Sequence, residues 1–108
     1  MAYGMTDIAD KIQDFLVYLK YEKQYSSATL KNYNLDLIKF NTYLLSLDIF
    51  MISEITNSHI QNYINTLNRA GLIATSLSRK TSSIRSFFNF MIKKRMIKNN
   101  PSKKITVP

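Results

Sequence analysis

The residues best suited to acid–base, metal or nucleophilic chemistry are few in this chain and do not group along it. There is one histidine, His59, and no cysteine, so neither a second histidine nor a thiolate is available to share a metal ion. None of the seven tyrosines has the set of arginines and histidines that would activate it as a nucleophile. Gly4 and Gly71 stand alone, which excludes a glycine-rich phosphate loop. We therefore expect no catalysis by this chain, no metal and no cofactor, and we expect His59 to be a capping or solvent-facing residue near a helix start.

Charge is distributed unevenly along the chain. All seven acidic residues lie between Asp7 and Glu54, where five lysines leave a net charge of −2. From Ile55 onward there are ten lysines and arginines and no carboxylate, a net charge of +10. Such asymmetry is typical of a surface that binds a polyanion, the alternative being an ordinary lysine-rich surface. No apolar run reaches the roughly 18 residues of a membrane span, and the start lacks the apolar stretch of a signal peptide, so we expect no membrane partner and a cytoplasmic location.

Four segments carry apolar residues at the three- and four-residue spacing of amphipathic helices, and strand-like alternation is almost absent. The predicted helices are about Thr6–Tyr21, Ser27–Leu47, Thr56–Asn68 and Thr75–Lys94. Ser26 or Ser27 is the expected N-cap of the second helix, and Gly71 is expected to end the third in the left-handed conformation. The pattern predicts an all-α fold.

The starts of the second and fourth helices combine hydroxyl groups with cations. In the fourth helix the run from Thr75 to Arg85 contains no acidic residue, and the second helix repeats the theme from Ser26 to Asn32. Hydroxyls and free amides at a helix start suit a phosphate oxygen, and arginine or lysine one turn further can reach other phosphates or guanine edges. Serine and threonine before a helix are also ordinary caps, so each start alone leaves both interpretations open.

Three stretches, in this order, resemble the N-terminal core-binding domain of tyrosine recombinases of the phage-integrase or Xer type. Tyr25–Phe40 is similar to S-x-x-T-x-x-x-Y-x-x-D-L-x-x-F, and Ser78–Phe90, preceded by Gly71-Leu72, to R-x-x-S-x-[IL]-R-x-F-[FY]-x-[FY]. Ile97–Pro108 is similar to I-x-x-N-P followed by I-x-x-P. The resemblance covers about Asp7 to Pro108.

This resemblance implies a compact four-helix SAM-like orthogonal bundle that clamps double-stranded DNA near the crossover site during DNA integration or recombination. It implies that other recombinase protomers join the full-length protein in a synaptic complex, and that the catalytic residues lie in a C-terminal domain absent here. It places DNA contacts on Ser27, Thr29, Lys31 and Asn32 and on Thr75, Ser76, Arg79, Lys80, Ser83 and Arg85. Ile73 departs from the family's small polar residue before the fourth helix, so Thr75 is the expected substitute cap.

The domain boundaries follow from these segments. We expect residues 1–6 to be a flexible leader, residues 7–98 to be the DNA-binding domain and residues 99–108 to be a linker toward the absent catalytic domain. Pro101 stops helix, because the residue before a proline is driven toward extended backbone. The tail from Ser102 to Pro108 is expected to have no partner within the chain.

Phe90 stands apart from the inner stripe of the fourth helix. That stripe centres near Leu77, Ile84 and Phe88, and at 100° per residue Phe90 lies about 160° from it. We expect Phe90 to belong to an interface outside this domain, the alternatives being a tail that folds back over it or simple tolerance of its exposure.

Two other functions fit part of the sequence. A helix-turn-helix transcriptional regulator would use the third and fourth helices and would require a two-fold symmetric DNA site. A SAM-type protein-interaction module would explain the helices but not the +10 charge, and its binding would be insensitive to salt.

Overall fold

The computed structural model describes residues Thr6–Pro108, which divide into two units at the junction of Ile52 and Ser53. Unit 1 ends at Ile52, and unit 2 runs from Ser53 to Pro108. Of the leader expected at residues 1–6, the first five residues lie outside the described part of the chain. Thr6 caps the first helix, and its hydroxyl accepts a hydrogen bond from the Ala9 amide at 3.2 Å.

Four α-helices account for most of the described chain. Unit 1 contains α1 (Asp7–Tyr21) and α2 (Ser27–Ser46), and unit 2 contains α3 (Asn57–Arg69) and α4 (Ala74–Lys93). A single 3-10 turn, Ile52–Glu54, precedes α3, and no strand occurs between Thr6 and Pro108. Every helix boundary falls within one residue of its predicted position, so the all-α, four-helix class is confirmed.

In unit 1, α1 packs against α2 around a core of large apolar side chains. The buried side chains of this core include Ile8, Ile12, Phe15, Leu19, Leu37, Phe40 and Leu44. Asp7 joins the start of α1 to the last residue of unit 1, because its Oδ2 accepts a hydrogen bond from the Ile52 amide at 2.8 Å. Its Oδ1 lies 3.6 Å from the Lys11 ammonium. A carboxylate at this position also suits the positive end of α1.

In unit 2, α3 packs against α4, and both ends of α3 are closed by local hydrogen bonds. At its start, the Thr56 hydroxyl accepts from the His59 amide, and His59 Nδ1 accepts from the Thr56 amide at 3.0 Å. The capping role expected for His59 is thus confirmed. At its end, Gly71 has a φ of +96°, and the amides of Gly71 and Leu72 donate backward in the two bonds of a Schellman motif.

The C-terminal tail is held on unit 2 by side chains of α3. The Asn57 side-chain amide donates to the carbonyls of Pro101 and Lys103 at 3.1 and 2.7 Å. Gln61 exchanges two hydrogen bonds of 2.9 Å with the backbone of Thr106. We call residues 101–106 the clasp. The expectation that this tail has no partner within the chain is wrong, because polar side chains of α3 match its backbone groups.

The clasp also contributes an apolar side chain to the interior. Ile105 is only 5% exposed, and Ser102 is buried with its amide and hydroxyl both bonded to the Asn100 side chain. Burying an isoleucine removes enough apolar surface from water to offset part of the entropy cost of ordering the tail. The clasp is therefore an ordered part of unit 2.

Phe90 is buried as well, with 5% of its surface exposed. The expectation that it serves an interface outside this domain is wrong. The error came from assigning α4 a single inner stripe. Besides that stripe, α4 buries Lys80, Ser83, Phe87 and Phe90, so it is covered around about half of its circumference.

Candidate nucleic-acid interface

The start of α2 is capped by its own sequence. Ser26 is the N-cap, and its Oγ accepts from the Thr29 amide at 3.2 Å and lies 3.0 Å from the Thr29 hydroxyl. Ser27, Lys31 and Asn32 are exposed, and Thr29 is half-buried. These four predicted residues share one helix start. The Thr29 amide at this start already donates to a protein acceptor, the Ser26 hydroxyl, and is therefore not available to an anion.

The start of α4 has no such acceptor. Its N-cap residue is Ile73, which is 68% exposed, and no side chain caps the helix. Thr75 is the second residue of the helix, so the expectation that it replaces the missing cap is wrong. The first amides of an α-helix have no partner within the helix and carry its positive dipole end. With Thr75 exposed and Ser76 half-buried beside them, these amides suit a phosphate oxygen.

The cations expected one turn further along α4 divide into two groups. Arg79 is exposed. Lys80 is only 6% exposed and Ser83 only 5% exposed, so the structure does not bring these two predicted residues to a surface. A lysine of this burial needs its own partners in the protein, because an unpaired buried charge is costly.

Arg85 remains at the surface but is tied to the clasp. Its Nη2 donates a hydrogen bond to the Ile105 carbonyl. The resemblance places Arg85 among the DNA contacts and does not indicate this contact with the tail. Asn57 and Gln61, which hold the same tail, were not among the predicted functional residues at all. The signal in the sequence was Ile105, a large apolar side chain between the polar residues Lys104 and Thr106.

The two units differ strongly in charge. Unit 1 contains five lysines and six carboxylates, a net charge of −1. Unit 2 contains ten lysines and arginines and a single carboxylate, Glu54, a net charge of +9. The positive potential around such a unit attracts a polyanion and is attenuated by salt. None of the described helices is long and apolar enough to cross a membrane.

One protein family matches most of this helical, basic chain. Residues 12–95 match the family described as the phage integrase N-terminal SAM-like domain. The chain belongs to this family. The resemblance to the N-terminal domain of tyrosine recombinases is thereby confirmed. The matched residues include parts or all of the four helices.

Curated relatives agree with this assignment. The chain is 31% identical over 90 residues to the tyrosine recombinase XerC of Halalkalibacterium halodurans, covering 83% of this chain and 30% of the relative. It is 35% identical over 91 residues to XerC of Lacticaseibacillus casei, covering 83% and 30%. For XerC of Listeria monocytogenes the identity is 33% over 97 residues, covering 90% and 32%. The chain thus spans about a third of the length of these relatives, and no solved structure matches it.

Proposed function

We propose that this chain binds double-stranded DNA as the core-binding domain of a site-specific tyrosine recombinase. The observation that carries the proposal is the start of α4, a helix end without a side-chain cap that is followed one turn later by exposed Arg79. This helix start lies in the unit of net charge +9. An anion accepted by the free amides would satisfy donors that the protein itself leaves without a side-chain acceptor.

Phosphate groups of a DNA backbone fit this helix start better than an acidic protein partner does. A phosphate oxygen can accept from adjacent helix amides while Arg79 reaches a neighbouring phosphate or a base edge. Family membership supports the same choice, because the chain matches an integrase domain and relatives named tyrosine recombinases. The helix-turn-helix regulator and the protein-interaction module have no comparable support.

The proposed contacts are those predicted residues that the structure leaves accessible at least in part. They are Ser27, Thr29, Lys31 and Asn32 at the start of α2 and Thr75, Ser76, Arg79 and Arg85 in α4. Lys80 and Ser83 are not retained, because their side chains are buried.

The remaining proposals concern the larger protein. We infer that the domain holds the duplex near the crossover site while a catalytic domain cleaves and rejoins the strands. Several protomers would assemble on DNA during integration or recombination, in the cytoplasm where the chromosome is accessible. The length of the relatives supports this arrangement, since about two thirds of each lies beyond the match.

The experiment is a salt titration of binding to a fluorescently labelled DNA duplex. We expect affinity to fall steeply as salt rises, because phosphate contacts release counterions. Arg79→Ala should weaken binding about tenfold, or ~1.4 kcal/mol, and lower the salt slope by about 1. The matched control is Lys39→Ala, which removes one exposed charge from unit 1 outside the proposed contacts. Equal losses from both variants would contradict a defined contact surface.

A further inference from the structure

The clasp is held on unit 2 by hydrogen bonds between α3 side chains and the clasp backbone. Gln61 both donates to the Thr106 carbonyl and accepts from the Thr106 amide, at 2.9 Å each, as a neighbouring strand would. Asn57 contributes two further hydrogen bonds to clasp carbonyls. Because Ile105 is buried between these attachment points, its carbonyl is held in a defined place on unit 2.

Arg85 donates to that same carbonyl with one nitrogen only. Within the described residues, its side chain makes no other hydrogen bond and no ion pair. A guanidinium group carries several N–H donors in a rigid planar fork, so most of its donors remain available. The residue is exposed, and no carboxylate follows Glu54 in the sequence to compete for it.

We propose that the clasp positions Arg85 to donate its remaining N–H groups to a DNA phosphate. The Ile105 carbonyl accepts from one nitrogen of the guanidinium, and the other N–H groups make no hydrogen bond to the described residues. The tail would then act on DNA binding through Arg85 without touching the duplex itself. This inference rests on the proposed DNA-binding function.

The chemistry of arginine explains why this position suits it. A long cationic side chain loses rotamer freedom when it fixes a phosphate, and this loss weakens binding. A guanidinium that already donates to a carbonyl has lost much of its rotamer freedom before DNA binds, so binding costs less. A lysine ammonium has no planar fork, so Arg85→Lys would keep the charge without this two-sided arrangement.

The test is a double-mutant cycle in which duplex affinity is measured at one fixed salt concentration with the 108-residue chain. Gln61→Ala removes the clasp contacts of Gln61, Arg85→Ala removes the guanidinium, and the third variant combines them. Asn62→Ala is the matched control, because it removes an exposed side-chain amide from the same helix that bonds to nothing in the clasp. Thermal unfolding of every variant verifies that affinities are compared at a temperature where the protein is folded.

We expect Arg85→Ala to weaken binding about tenfold and Gln61→Ala about threefold. In the Arg85→Ala background, Gln61→Ala should have no further effect, and Asn62→Ala should have none in either background. If Gln61→Ala leaves Tm too low for measurement, Gln61→Met takes its place in the cycle, because it keeps a side chain of similar length and removes both hydrogen-bonding groups that face Thr106.

Three outcomes overturn the inference, and the first two separate it from the proposed function. If the unaltered chain binds DNA with the expected salt dependence but the two substitutions are additive, the clasp does not position Arg85. The same conclusion follows if Gln61→Ala has no effect. If the unaltered chain binds no duplex at all, the proposed function fails, and this inference fails with it.

Discussion

Units 1 and 2 each contain two α-helices, but different contacts complete the ends of those helices. In unit 1, the starts of both helices are capped by the residue just before them, Thr6 and Ser26. In unit 2, α3 has a local cap, α4 has none, and a tail from the far end of the sequence completes the packing. Unit 1 is almost neutral, whereas unit 2 carries a net charge of +9.

This difference indicates where the domain meets its ligand. A helix start that already has a side-chain acceptor is stabilised by the protein alone. A start without one, in a strongly basic unit, gains an acceptor when an anion binds. Unit 2 therefore holds the stronger candidate contact surface.

The largest expected effect is the loss of the clasp's apolar anchor. Ile105→Ala should lower the free energy of unfolding by ~2–5 kcal/mol, because it leaves a cavity at a buried position. Urea denaturation measures the change. Val107→Ala, at a half-buried position two residues later, should cost less than about 1 kcal/mol. Similar small costs at both positions would show that unit 2 does not depend on its tail.

A smaller loss is expected at the start of α2. Ser26→Ala should lower the free energy of unfolding by about 1 kcal/mol, since the Thr29 amide loses its side-chain acceptor. Ser27→Ala is the matched control, because Ser27 is exposed and is the first residue within the helix. Its cost in the same denaturation experiment should be near zero. A larger loss from Ser27→Ala than from Ser26→Ala would show that Ser26 is not the residue that caps α2.

The smallest change should be a gain at the start of α4. Ile73→Ser supplies the missing acceptor and should raise the free energy of unfolding by ~0.5–1 kcal/mol in the absence of DNA. Ile73→Ala, which shortens the same exposed side chain without adding an acceptor, should leave stability nearly unchanged. A gain from alanine as large as that from serine would show that capping is not what α4 lacks.

The helices were predictable because their signals are local. Apolar spacing, Ser26 before α2 and Gly71 after α3 each depend on a few adjacent residues, and each was found where expected. The resemblance to integrases also rests on short motifs in order, and family comparison confirms it.

The clasp and the burial of α4 were not predictable in the same way. Asn57 and Gln61 bond to residues more than 40 positions later in the chain, and no local pattern indicates such pairs. The resemblance placed Lys80 and Ser83 among the DNA contacts, and Phe90 was expected to face outward because a single inner stripe was assigned to α4. How much of a helix is buried depends on tertiary packing, which periodicity within the helix does not reveal.

The most direct test of the contact surface is the duplex affinity of Ile73→Asp. The carboxylate would accept from the first amides of α4 and repel a phosphate, so the helix should become more stable while DNA binding weakens. Asn62→Asp adds the same charge to an exposed position of unit 2 on α3. We predict a loss of about tenfold for Ile73→Asp and less than about threefold for Asn62→Asp at equal salt. Equal losses, or no loss from Ile73→Asp, would contradict a phosphate contact at the start of α4.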